Sequence, residues 1–69
     1  MTKKEFVALL RLQNRRLVLC EVDLVVHETV SKKYAADILT DNGYLVMDGP
    51  HAKTQGAAVQ RSIAKYYKQ

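Results

Sequence analysis

Residues 34–48 read YAADILTDNGYLVMD, and the Asn42-Gly43 pair at their middle decides how the rest of the chain is read. Asn-Gly between two apolar runs is the strongest short-range hairpin signal, because a two-residue type I′ turn needs positive φ at both central positions and these residues tolerate it. Such a turn sets the register: Asp41 faces Tyr44, Thr40 faces Leu45, Leu39 faces Val46, Ile38 faces Met47 and Asp37 faces Asp48. Cross-strand partners share a face and faces alternate along each strand. One side therefore collects Tyr34, Ala36, Ile38, Thr40, Leu45 and Met47, which is a core face. The other collects Asp37, Leu39, Asp41, Tyr44, Val46 and Asp48, a solvated face with some apolar cover. The competing reading is a helix capped by Ser31, with Tyr34, Ala35, Ile38 and Leu39 on one side and Gly43 just past its end. That helix would abolish the hairpin.

Upstream, Val18, Cys20, Val22, Leu24 and Val26 are all apolar while Glu21, Asp23 and His27 take alternate positions, the pattern of a half-buried strand with its apolar row inward. Residues 27–33 read as a polar connection too long for a tight turn. Before the strand, residues 2–15 form an amphipathic helix: Thr2 and Glu5 have capping-box spacing, and Phe6, Leu9, Leu10 and Gln13 lie along one face. After the hairpin, Gly49-Pro50 stops the sheet, since proline cannot donate to a ladder. A second helix runs from Lys53 or Thr54 to about Tyr67, with Val59, Ile63, Ala64, Tyr66 and Tyr67 on its apolar side. The fold class that follows is α+β: a two-layer, three-stranded antiparallel meander with an N-terminal and a C-terminal helix on one face, in the order α-β-β-β-α. The uncovered sheet face is expected to be acidic, carrying Glu21, Asp23, Asp37, Asp41 and Asp48.

This order of elements resembles that of the double-stranded-RNA-binding domain over the whole chain. The segment AKTQGAAVQRSIA from Ala52 is similar in outline to that family's last helix, with Lys53 followed by Ala57-Ala58. Thr54 and Gln55 stand where the family has further lysines, and Gly49-Pro50-His51 follows the third strand rather than the first. The likeness is one of architecture.

With 69 residues there is room for one domain and a small core, so oligomerisation would help stability. A composition 48% apolar and 26% charged excludes a disordered or collagen-like chain. The lone Cys20 can form neither an internal disulfide nor a multi-thiolate zinc site, which points to a reducing, cytoplasmic setting. No apolar run is long enough to span a bilayer, and MTKKEF lacks the apolar core of a signal peptide, so no membrane role is expected. Charge is segregated: residues 1–16 carry five cations against Glu5, residues 17–48 six acids against Lys32 and Lys33, and residues 49–69 four cations and no acid.

No catalytic constellation, metal site or cofactor loop is expected. His27 and His51 have no second ligand at helical spacing, Cys20 reads as a small buried hydrophobe, and each of the three glycines has a turn, stop or helix-start explanation. The basic ends carry the functional signal, because clustered cations are the electrostatic footprint of nucleic-acid binding. The expected phosphate contacts are Lys3, Lys4, Arg15 and Arg16 from the first helix, Lys32 and Lys33 from the connection, and Lys53, Arg61 and Lys65 from the last helix. His51, Lys53 and Gln55 sit at a helix start, where backbone N–H groups favour a phosphate. The expected function is a small, basic, non-catalytic protein that binds DNA or RNA or regulates, of the kind phages and plasmids carry. The alternative is a protein-binding module or inhibitor, or a homodimer, that docks through Leu19, Val25, Leu39, Tyr44 and Val46 on the uncovered face or the hairpin edge.

Overall fold

The computed structural model describes residues 1–68. Its elements are α1 (Lys3–Leu12), β1 (Arg15–Val26), β2 (Thr29–Thr40), β3 (Leu45–Met47) and α2 (Gln55–Tyr67), and the three strands form one antiparallel sheet in the order β1-β2-β3. The α-β-β-β-α plan expected from the sequence is the plan of the molecule. Residues 31–40 are strand, so the competing helix is not formed.

α1 begins with the capping box: the Glu5 N–H donates to the Thr2 hydroxyl at 3.2 Å and the Thr2 N–H to the Glu5 carboxylate at 3.3 Å. It ends at Leu12, three residues earlier than the sequence pattern suggests, because Asn14 takes a left-handed φ of 58° and the chain turns directly into β1. Thr54 caps α2, accepting from the Ala57 N–H at 3.1 Å.

The two hairpin turns exchange the roles their sequences suggest. Asn42-Gly43 does not make a two-residue turn. The Gly43 N–H donates to the Thr40 carbonyl at 2.9 Å, the Thr40 N–H to the Tyr44 carbonyl at 2.8 Å, and only Gly43 has positive φ, at 87°. This is a three-residue loop closed by a left-handed glycine. Thr40 therefore faces Tyr44 rather than Leu45, and Leu39 faces Leu45 rather than Val46. A bulge between Ile38 and Leu39 then restores the expected Ile38–Met47 pair.

The type I′ geometry occurs instead at His27-Glu28, where φ is 50° and 63°. The segment expected as a polar connection is thus the start of β2, and β1 and β2 form a continuous twelve-residue ladder from Val26–Thr29 to Arg15–Thr40.

That tight turn corrects the inward face of β1. Because Val26 is locked to Thr29, Leu17 falls opposite Ile38 and Leu19 opposite Ala36. Ile38 and Ala36 are core residues, so Leu17 and Leu19 pack beneath the helices and the alternate row of Val18, Cys20, Val22, Leu24 and Val26 lies on the open face. The core is Phe6 and Leu10 of α1, Ala36 and Ile38 of β2, Met47 of β3, and Val59 and Ile63 of α2. Phe6 meets the rings of Tyr66 and Tyr67 edge-on at centroid distances of 5.6 and 6.1 Å, so both tyrosines are engaged with α1. Ala64, expected on the apolar side of α2, is exposed, and Ser62 is buried with its hydroxyl donating to the Ala36 carbonyl at 2.6 Å.

Beyond Leu19 the helices no longer cover the sheet. Residues 21–34 project as a two-stranded ribbon, which gives the molecule its 43 × 25 × 20 Å outline. After Met47 the chain returns along the outer edge of β2. Tyr34 and Ala52 exchange two backbone hydrogen bonds of 2.8 Å, and Gly49 rests against the Ala36 backbone.

Candidate nucleic-acid interface

The amphipathic pattern of each helix fixes where its cations point. Phe6 and Leu10 turn inward on α1, so Lys3, Lys4 and Arg11 stand outward around Val7 and Ala8, where they line an open hollow of about 530 Å³. On α2 the buried side is Ala58, Val59, Ser62 and Ile63, which leaves Arg61, Lys65 and the following Lys68 in solvent. With Lys53 just before the cap, the helical layer carries seven cations against the single acid Glu5. The carboxyl of Glu5 is held below its usual range by the Thr2 hydroxyl and backbone N–H, so it stays ionised within the cap.

The nine cationic positions expected to touch phosphate divide into three groups, and His51 stands apart from them. Lys3, Lys4 and Lys53 are exposed in the helical layer, and no hydrogen bond or ion pair engages their side chains among the described residues. Four others have internal work. The Arg15 guanidinium donates to the Tyr66 hydroxyl at 2.6 Å and lies 5.9 Å from that ring's centre, while the same hydroxyl donates to Gln13. Arg61 donates to the His51 carbonyl at 2.6 Å and Lys65 to the Asp48 carbonyl at 2.8 Å, which staple α2 to the returning strap. Lys32 pairs with Glu21 at 3.0 Å, and that carboxylate raises its pKa. Arg16 and Lys33 form the third group. They lie on the open sheet face, away from the helices. His51 is exposed in the strap, contributing its carbonyl rather than its ring to the bond with Arg61.

The acids do not gather on the open face as expected. Glu21 and Asp23 share the helix-side face with Leu17 and Leu19 but lie out on the ribbon, Glu28 is in its turn, and Asp41 is in the other turn. Asp48 follows β3 close enough for its charge to act on the Cys20 thiol, and Asp37 is on the open face. There it accepts from the Gly49 N–H at 2.8 Å and from the Cys20 thiol at 3.4 Å, and burial, reinforced by this carboxylate, raises the thiol's pKa. Cys20 is thus a half-buried donor on the open face, not a core residue.

The five residues of the alternative protein-binding surface are dispersed. Leu19 and Val46 pack against the core, Leu39 lies opposite Arg16, Tyr44 is in the turn, and Val25 is on the far ribbon. Sequence reasoning passed over Arg11 and Lys68 as contacts. The i, i+4, i+8 spacing of Lys3, Val7 and Arg11 was the available signal.

Among the described residues, no three of His, Cys, Asp and Glu come together as a metal site, and no helix is long and apolar enough to cross a membrane. Comparison with protein families, with curated proteins and with solved structures finds no match.

Proposed function

We propose that this chain is a non-catalytic nucleic-acid-binding protein of regulatory type that engages the phosphate backbone of a duplex with its helical layer. The observation that carries this reading is the charge of that layer, a net excess of six cations on two adjacent helices and their flanks. Phosphate binding releases counterions from the duplex, so each cation that meets a phosphate adds to affinity without reading sequence. Lys3, Lys4 and Arg11 lead the contact, because they surround one hollow and hold no internal partner. Lys53 extends it at the start of α2. Arg61 and Lys65 contribute field while anchored to the strap.

The test is fluorescence anisotropy with labelled duplex RNA and duplex DNA over a salt series. The expected slope of log K against log salt is about −3.6 to −5.4, from roughly four to six phosphate contacts at ~0.9 each. Lys3→Ala with Lys4→Ala should make that slope shallower by about 2 and weaken binding equally for unrelated sequences. Binding that is absent at low salt, or indifferent to salt, removes the proposal.

A further inference from the structure

The two edges of the sheet are not alike. On the far side of β2, β3 and the strap cover the backbone from Tyr34 onward. β1 is the other edge, twelve residues long with no proline, lysine or bulge, the features that keep edge strands from pairing. Its outward groups can be named. Tyr34, opposite Glu21, exchanges both its backbone bonds with Ala52, and Thr40, opposite Arg15, donates to the Tyr44 carbonyl. These are therefore pairs that do not bond each other across β1 and β2. Arg15, Leu17, Leu19, Glu21, Asp23 and Val25 thus turn N–H and C=O to the free edge, where no backbone group meets them among the described residues.

The charge around that edge selects what pairs with it. Phe6 and Gln13 turn toward Tyr66 of α2, so at about 100° per residue Val7 and Arg11 fall on the opposite flank of α1, above the edge of β1. A strand entering there meets Arg11 and Arg15 on the helix side and needs an acid on that side. β1 itself carries one: Asp23 shares the helix-side face with Arg15, and neither is in an ion pair among the described residues. We propose that β1 pairs with β1 of a second copy, antiparallel about a two-fold axis at Leu19, joining two sheets into one of six strands in which Arg15 of each chain faces Asp23 of the other.

Symmetry and charge fix this register. Partners across a ladder share a face, so the axis must pass through a residue that pairs with itself. An axis at Glu21, Val22 or Asp23 sets acid against acid, and one at Cys20 leaves every charge opposite an apolar residue. An axis at Val18 pairs Arg15 with Glu21, which Lys32 already holds at 3.0 Å. The axis at Leu19 sets Arg15 opposite Asp23, Arg16 opposite Val22, Leu17 opposite Glu21 and Val18 opposite Cys20, with no like charges facing each other. Its outward-facing positions exchange about ten backbone hydrogen bonds. The axis stands perpendicular to the sheet, so both helical layers lie on one face of the joined sheet, and the pairing does not depend on what those layers bind.

Sedimentation equilibrium from about 1 µM to about 500 µM spans the affinities of a small interface, with an expected species of twice 7.8 kDa at the upper end. Hydrogen exchange reads the edge directly. The amides of Leu17, Leu19 and Glu21 should exchange at least about tenfold more slowly at the upper concentration, while those of Val18 and Cys20, bonded to β2, should not change. Asp23→Lys should raise the dissociation constant about tenfold, because it sets like charges opposite each other at both ends of the ladder. Val18→Cys tests the register. It places a thiol opposite Cys20 of the other copy at the roughly 4.5 Å Cα separation of a non-bonded pair, within disulfide range. Oxidised glutathione should convert this variant to a covalent dimer on a non-reducing gel and leave Val22→Cys, which faces Arg16, uncrosslinked. A monomer throughout the range, edge amides indifferent to concentration, or cross-linking of Val22→Cys in place of Val18→Cys overturns the proposal.

Discussion

Gly49→Ala is the substitution on which the packing account is most exposed. A methyl at this position would sit 2.1 Å from the Ala36 carbonyl oxygen and 2.7 and 2.9 Å from the carbon and nitrogen of the same residue. Those contacts are backbone in a central strand, so the strap must move outward by about 1.3 Å or more to bring the 2.1 Å contact to ordinary van der Waals separation. Three bonds depend on its present position. The Gly49 N–H donates to Asp37 at 2.8 Å, the crowded carbonyl accepts from buried Ser62, and the Tyr34–Ala52 bridge lies three residues on. Losing the charged bond costs about 1.5–3 kcal/mol, and straining or losing the Ser62 bond adds about 1–2 kcal/mol. The expected loss is about 3–5 kcal/mol, against a total of roughly 3–10 kcal/mol for a chain of this size. Thermal unfolding followed by far-UV circular dichroism should show a midpoint lowered by about 12 °C at the least. A midpoint within about 3 °C of the wild type would mean that the strap does not bear on β2 as described.

Gly56→Ala is the counterpart: nothing lies within 4 Å of the added methyl, so the same assay should show a gain of about 0.5–1 kcal/mol from helix propensity alone. Replacing His27-Glu28 with Asn-Gly relieves two left-handed residues and should stabilise by about 0.5–1.5 kcal/mol in urea titration, with no change in the m-value. Tyr66→Phe removes the hydroxyl that joins Arg15 to Gln13 and should cost about 1–2 kcal/mol by the same titration, with the T-shaped ring contact to Phe6 retained. Glu5→Gln tests the cap by pH. A carboxyl whose folded pKa is depressed contributes stability above its unfolded pKa and loses it as pH falls through the folded value, so the wild type's advantage in thermal midpoint should be full at neutral pH and vanish in strong acid.

Element order and helix caps were legible because each rests on local chemistry. Thr2 with Glu5 names the start of α1 outright, the expected start of α2 at Lys53 or Thr54 falls within two residues of Gln55, and the alternation of residues 18–26 names a strand. The inward face of β1 was not legible, because its row offers only three apolar residues, Leu17, Leu19 and Val25, against five in the alternate row. A two-residue turn at His27-Glu28 made the choice. Neither residue carries the usual signature of positive φ, although histidine is among the side chains that enter that region more often. At Asn42-Gly43 the signature was present but the loop took one residue more, and the bulge beside Ile38 absorbed the difference. The candidate interface was legible as composition, since helix periodicity alone turns Lys3, Lys4 and Arg11 outward. What periodicity could not supply was the internal bonding of Arg15, Arg61 and Lys65, whose partners lie 51, 10 and 17 residues away.

The short turn at the ribbon tip also bears on the order in which the chain assembles. Pairing can begin across two residues and close one rung at a time toward Arg15–Thr40, each step ordering little new chain. The bonds between the chain's ends, Gln60 to the Met1 carbonyl and Tyr66 to Gln13, span more than fifty residues and gain nothing until that ladder stands. Substitutions at Val26 or Thr29 should therefore slow refolding, whereas changes at Tyr66 should mainly hasten unfolding, so that the joined termini act as the latch on a sheet already built.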